Sequence, residues 1–387
     1  MAKKTWILTD VDQDLYVERL TLTPSDVGGP AAGYAVTKRR LRGGLREGVD
    51  VIEVDNGRFR FVVVPTRGMG IWRAEQDDVL LGWKSPVKGP VHPAFVRLQE
   101  AGGIGWLDGF DELLVRCGLE SNGAPERNAD GTLRYGLHGK IANLPAHQVQ
   151  VSIDGDAGEI AVTGTIDEAR MFGNKLRLTS TVTTQVGQSG LTITDRVTSL
   201  SAEPAELELL YHINFGGPLV GPGAKVVLPV SLMAPRDGAA VENLAEWDTY
   251  GPFSPGSAEA VFFFELAAAA DGQTRALLHN AAADRGVSLR FEKGRLPCFS
   301  LWKNRQAEVD GYVTGLEPAV NFPNVKSFEK AQGRVMVLAP GDSRLFEVAL
   351  EVHPDASSVS AAIEAVKKIQ EGIHPQILSQ PDPTWSA

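Results

Sequence analysis

The stretch NKLRLTSTVTTQVGQSGLTITDRVTSL, residues 174–200, decides the fold class. Apolar and polar side chains alternate along it with period two, as in a strand with one buried and one solvated face. Valine and threonine suit a pleated surface, and a glycine-bearing break separates two long runs.

The theme recurs in both directions. HQVQVSIDGDAGEIAVTGTIDEA (147–169) reads as a hairpin. VDVIEVDNGRFRFVVVPTRGMGIWRAE (49–75) reads as two or three strands, with Asp55-Asn56-Gly57 as the turn. AELELLYHINFG (205–216), AVFFFEL (260–266), GVSLRFEK (286–293), CFSLWKN (298–304), YVTGLEP (312–318) and DSRLFEVALEVH (342–353) continue it. This strand content is far above the usual share.

Helix signals are few. In WLDGFDELLVRCGL (106–119), Leu107, Phe110 and Leu114 fall at helical spacing with Gly118 as a C-cap. The clearest helix is 355–372, with Asp355 or a following serine as N-cap, late lysines and Gly372 as the stop. The proline-rich end, 374–387, reads as extended. No composition break or fixed-period repeat divides the chain, so it reads as one all-β domain over residues 1–387, with strands 1–50 and helix 355–372 as extensions. Long antiparallel strands imply a large sandwich of two packed sheets with a few short helices, and a curved open face of such a sandwich can hold a ligand.

The 387 residues carry a formal charge of −10, which disfavours nucleic acid and anionic membranes as partners. No run approaches the ~20 apolar residues of a membrane helix, and the opening residues have no signal-peptide core. Cys117 and Cys298 form neither a disulfide framework nor a metal spacing, which fits a reducing, cytoplasmic setting. There is no phosphate loop, dinucleotide fingerprint, nucleophile elbow or HExxH motif.

Four segments place polar residues beside glycines or prolines where strand patterns break: PTRGMGIW (Arg67), YGLHGKIANLPA (His138), LLYHINFGGPL (His212) and GLEPAVNFPN (Glu317). Alternation puts Leu207, Leu209, Tyr211 and Ile213 on one face of 205–216, and His212 with Glu208, Leu210 and Asn214 on the other. His212 is then either a cleft residue or a core histidine bonded to a carbonyl. Glu317 precedes Pro318, which biases it to extended backbone and ends the strand, so its carboxylate is expected at the sheet's rim. It is either functional, paired or solvated, because burying it bare is costly. Arg67 could hold a hydroxyl pair or carboxylate in bidentate fashion, or bridge its own glycine turn. Asn321 and Asn324, flanking Phe322 and Pro323, are residue types common at sugar contacts. Trp72, Trp83, Trp106 and Trp302 read mostly as core, with one or two free to stack on a sugar's C–H face. Asp108 and Asp111 are explained by charge complementarity at a helix N-terminus.

In this order, LHG at 137–139, LYHINFG at 210–216 and LEPAVNFPN at 316–324 resemble the aldose 1-epimerase (galactose mutarotase-like) superfamily, and TRGM (66–69) with WLDGFDELL (106–114) resembles an uncharacterised branch of it. The resemblance runs from about Glu53 to about His353. It implies a β-supersandwich with a sugar pocket on a concave face and an isomerase that interconverts anomers. His212 matches the general acid, Glu317 the general base and His138 a substrate-binding histidine. Arg67 takes the place of a sugar-binding arginine, although its local motif differs. The substrate aspartate of mutarotases has no clear counterpart, and Glu259 is the nearest acid by position. Asn214, Trp302 and Asn321 complete the expected sugar contacts. Adding a proton to the ring oxygen and removing one from the C1 hydroxyl needs one acid and one base, with no metal and no organic cofactor. Two readings stay open beside it. One is a metal-assisted sugar isomerase, with Asp108, Asp111 or Glu259 as a third ligand. The other is a carbohydrate-binding protein without turnover. The sugar and the oligomeric state are left open.

Overall fold

The computed structural model describes residues 3–77 and 79–387. Among them, strands form an antiparallel sheet of ten and a mostly antiparallel sheet of fourteen, in which Gln376–Ile377 runs parallel to Val230–Pro235, with a separate two-stranded ribbon. The sandwich expected from alternation is what forms. Lys175–Gln185 and Gly190–Ser199 pair antiparallel near the middle of the ten-stranded sheet, with Leu176 opposite Ser199 and Val182 opposite Ile193. Leu176, Leu178, Val182, Leu191, Ile193 and Val197 turn inward to the core between the sheets. The larger sheet answers with Leu207, Leu209, Tyr211, Ile213 and Phe215 from Ala205–Gly216.

Several polar groups caught between the sheets are paired, as burial demands. Arg116 on Leu114–Leu119 reaches across to Asp195, with Nη2 at 3.0 Å from Oδ1, and also donates to Ser180 Oγ and the carbonyls of Gly68 and Met69. The Tyr211 hydroxyl donates to the same carboxylate at 2.9 Å. At the DNG turn, Asn56 accepts from the amides of Arg58 and Phe59 and donates to Thr184 and the carbonyls of Gln185 and Gln188, tying one sheet to the other.

The C-terminal helix spans Ala356–Gln370, within the expected 355–372. Asp355 caps it by accepting from the Ser358 amide. Its Ala362 and Val366 cover Leu277 on the outer side of the ten-stranded sheet. Among the described residues, no helix is long and apolar enough to cross a membrane.

Two expectations are corrected. Residues 106–118 are not a helix: a 3-10 turn, Gly105–Gly109, leads into the strand Leu114–Leu119. All six residues of that strand are buried. A strand covered on both faces loses its alternation, so its apolar run mimics a helix face. Nor does Pro318 end its strand, which runs Val313–Ala319. Proline is tolerated there because the ladder to Ala205–Gly216 is interrupted, pairing only at Ala319 and again from Leu316. Glu317 therefore lies inside the sheet, not on its rim.

Candidate active site

The outer face of the fourteen-stranded sheet carries a second apolar cluster, including Trp106, Phe110, Leu210, Val261, Phe263 and Phe322. Over it opens a cavity of about 310 Å³. That is at the small end of the ~300–1,000 Å³ usual for small-molecule sites. Its floor comes from neighbouring strands: His212 from Ala205–Gly216, Glu317 from Val313–Ala319 and Trp302 from Cys298–Asn304. Arg236 and Glu259 flank it at the ends of Val230–Pro235 and Ala260–Leu266. Loops bring Trp106, Phe110, Leu137 and His138 over it.

The pairing that brackets the gap, Leu210 with Ala319 and Ile213 with Leu316, sets His212 opposite Glu317. His212 Nε2 lies 3.2 Å from Glu317 Oε1. The approach is off the hydrogen-bonding axis, and Oε1 is buried with no hydrogen-bond partner among the described residues. The Glu317 carboxyl lines the cavity, while Oε1 itself is shut in beside Gly315 and His212, where an unsatisfied oxygen carries a desolvation cost. Gly315 provides the room, since a β-carbon there would come 2.5 Å from that oxygen and 3.0 Å from His212 Cε1.

Asn214 sets the imidazole. Its Nδ2 donates to the carbonyls of Glu112 at 3.0 Å and His212 at 3.2 Å, which turns its Oδ1 to His212 Nδ1 at 2.5 Å. Nδ1 thus carries the proton and Nε2 faces Glu317. Burial, with His138 nearby, pushes the His212 pKa down to about 3. Burial raises Glu317 well above the usual carboxylate range, and Glu259 adds to the rise. The resting pair is a carboxylic acid beside a neutral imidazole.

His138 sits in a left-handed turn, φ +57°, with its ring against Trp106 and 5.6 Å from that of His212. Its Nδ1 donates to the Asn122 carbonyl at 2.8 Å, so Nε2 is the free nitrogen. Desolvation lowers its pKa, which keeps the ring neutral.

Of the remaining expected site residues, Trp302 and Glu259 line the cavity, while Asn214 stands behind His212. Asn321 is fully buried and does not line the cavity. It bonds Glu208 and Asn122, and so steadies the loop whose carbonyl holds His138. Arg67 is also misplaced by the resemblance. Its guanidinium is buried away from the cavity, where it pairs with Glu112 and donates to Val91 O, Asn143 Oδ1 and Gly109 O. With four of its five N–H groups so engaged and none of it lining the cavity, it is a structural ion pair and not a sugar contact. Sequence reading missed Arg236, which follows Pro235 in an unremarked stretch, and left Trp106 as core. Trp106 is buried in the cavity wall with its indole N–H unpartnered. Among the described residues no three His, Cys, Asp or Glu side chains are gathered closely enough to hold a metal ion. Asp111 instead accepts from the Trp72 indole at 2.9 Å.

A family model described as a domain of unknown function, DUF4432, matches residues 46–352. No curated protein matches the chain. A crystal structure from Klebsiella pneumoniae, provisionally described as an aldose 1-epimerase, is 32% identical with a TM-score of 0.94, over 98% of this chain and 99% of that one. A galactose mutarotase-like protein from Clostridium acetobutylicum matches at TM-score 0.55 and 16% identity, over 82% of this chain and 98% of its own. An Escherichia coli K12 protein, also provisionally an aldose 1-epimerase, matches at 0.51 and 15%, over 79% and 99%. These last two establish the galactose mutarotase-like fold alone.

Proposed function

The chain belongs to the DUF4432 family, and we propose that it is an aldose 1-epimerase-like isomerase that interconverts the anomers of a small sugar by acid–base catalysis. The observation that carries this reading is the His212 Nε2 to Glu317 Oε1 approach of 3.2 Å on the cavity floor, with Oε1 left unpartnered.

Anomer exchange needs a proton delivered to the ring oxygen and one taken from the C1 hydroxyl. The ring opens, the aldehyde end turns, and closure reverses both transfers. The resting pair holds one mobile proton, on Glu317. A sugar whose hydroxyl donates to the Glu317 carboxyl stabilises its ionised form, because hydrogen bonding to the charged form favours it. With the carboxyl turned onto the hydrogen-bonding axis, the proton then passes to His212 Nε2. His212 becomes the acid and Glu317 the base, and Asn214 steadies the imidazolium through Nδ1–H. Each such group contributes roughly 10²–10⁴-fold. His138 Nε2 accepts a sugar hydroxyl, and the Trp302 and Trp106 rings suit the sugar's C–H face.

The test is magnetisation exchange between anomers by NMR, on free aldoses, ketoses and sugar acids. This reading expects faster exchange for at least one of them in the presence of the protein. Saturable sugar binding with no acceleration for any would instead make the chain a carbohydrate-binding protein.

A further inference from the structure

We infer that the cavity takes an uncharged monosaccharide, and that Glu259 enforces this choice by neutralising Arg236. This deepens the reading above and rests on it. Arg236 lines the cavity, and a guanidinium in a sugar pocket would ordinarily point to a carboxylate or phosphate on the ligand.

Its surroundings argue otherwise. Its Nε donates to Asp237 Oδ2 at 2.8 Å and its Nη2 to Glu259 Oε1 at 2.9 Å. Two carboxylates thus face one cation, leaving a local excess of negative charge. No lysine or other arginine lines the cavity among the described residues. Glu259 is held in place from its other oxygen, which accepts the Trp302 indole N–H at 2.6 Å. The same carboxylate therefore fixes both the guanidinium and the aromatic platform. What remains for a ligand is Arg236 Nη1, which has no hydrogen-bond partner among the described residues. It offers donors suited to hydroxyl oxygens without the net positive charge an anion needs.

Glu259 is thus a positioning and selectivity residue. The test compares glucose and galactose with their own uronic acids and 6-phosphates, by NMR anomer exchange, in wild type and Glu259→Gln. The wild type is expected to favour each neutral sugar by about tenfold or more in kcat/KM, the scale of one unit charge met at close range. Glu259→Gln is expected to narrow that ratio severalfold, because it uncovers the Arg236 charge. A structural role alone would lower both rates and leave their ratio fixed. Asp237→Asn, which keeps a capping side chain on Gly238–Glu242, is expected to shift the ratio in the same direction if Glu259→Gln fails to fold. Equal or better handling of the anions by wild type overturns the inference, as does an unchanged ratio in the folded variant. If anomer exchange is accelerated without regard to charge, only this inference falls; if no sugar is bound or turned over, it falls together with the reading beneath it.

Discussion

His212 and Glu317 approach to 3.2 Å across neighbouring strands because residue 315, next along the same face from Glu317, has no side chain. A methyl group there would lie 2.5 Å from the carboxyl oxygen and would force the pair apart. Gly315→Ala is therefore expected to fold, since the cavity gives the displaced carboxyl somewhere to go. It should lose about a hundredfold in kcat/KM, the usual result of misplacing a catalytic group by about 1 Å. Steady-state anomer exchange beside a thermal melt checks this. Full activity in Gly315→Ala would mean that the close approach is not used.

The protonation of the pair fixes the pH dependence. The His212 pKa is lowered to about 3, so the imidazole is neutral above that pH. That of Glu317 is raised well above its ordinary 4.5, so the carboxyl keeps its proton past the usual glutamate range. Between these limits the pair holds one proton, the state the mechanism requires. The kcat/KM profile is expected not to rise through 4.5 or 6.5, where an ordinary glutamate or histidine would lose its proton, and to fall below about 3 and again on the alkaline side, where Glu317 ionises. A limb rising through either ordinary value would contradict the assigned protonation.

Arg67 leads to a prediction about stability. It pairs with Glu112, and both side chains are fully buried. Removing one partner leaves the other charge buried and uncompensated, at a cost of about 3–5 kcal/mol. Arg67→Met is expected to lower the unfolding free energy by that amount, read from the shifted midpoint of a chemical denaturation curve. A variant as stable as wild type but weakened in sugar binding would restore the substrate role that the resemblance implied.

Much of this was legible in the residue order, for identifiable reasons. Strands with one face in the core, such as Lys175–Gln185, announce themselves by alternation. His212 could be placed opposite the core because Leu209, Tyr211 and Ile213 take the other face. Leu114–Leu119 could not be read in this way, because it is buried on both sides. Arg67 was misassigned because its partner stands 45 residues away, and only the folded chain brings Glu112 to it. Arg236 drew no notice because an arginine after a strand is ordinarily solvated. Its meaning comes from Glu259 and Trp302, which belong to other strands or their ends.

The most direct measurement is anomer exchange by NMR with wild type and Glu317→Gln, an isosteric change that removes the titrating carboxyl. The account predicts that wild type accelerates exchange of at least one free sugar and that the variant, folded and still binding it, is slower by about a hundredfold or more. Equal rates in the two proteins, or no acceleration by wild type for any sugar tested, would contradict it.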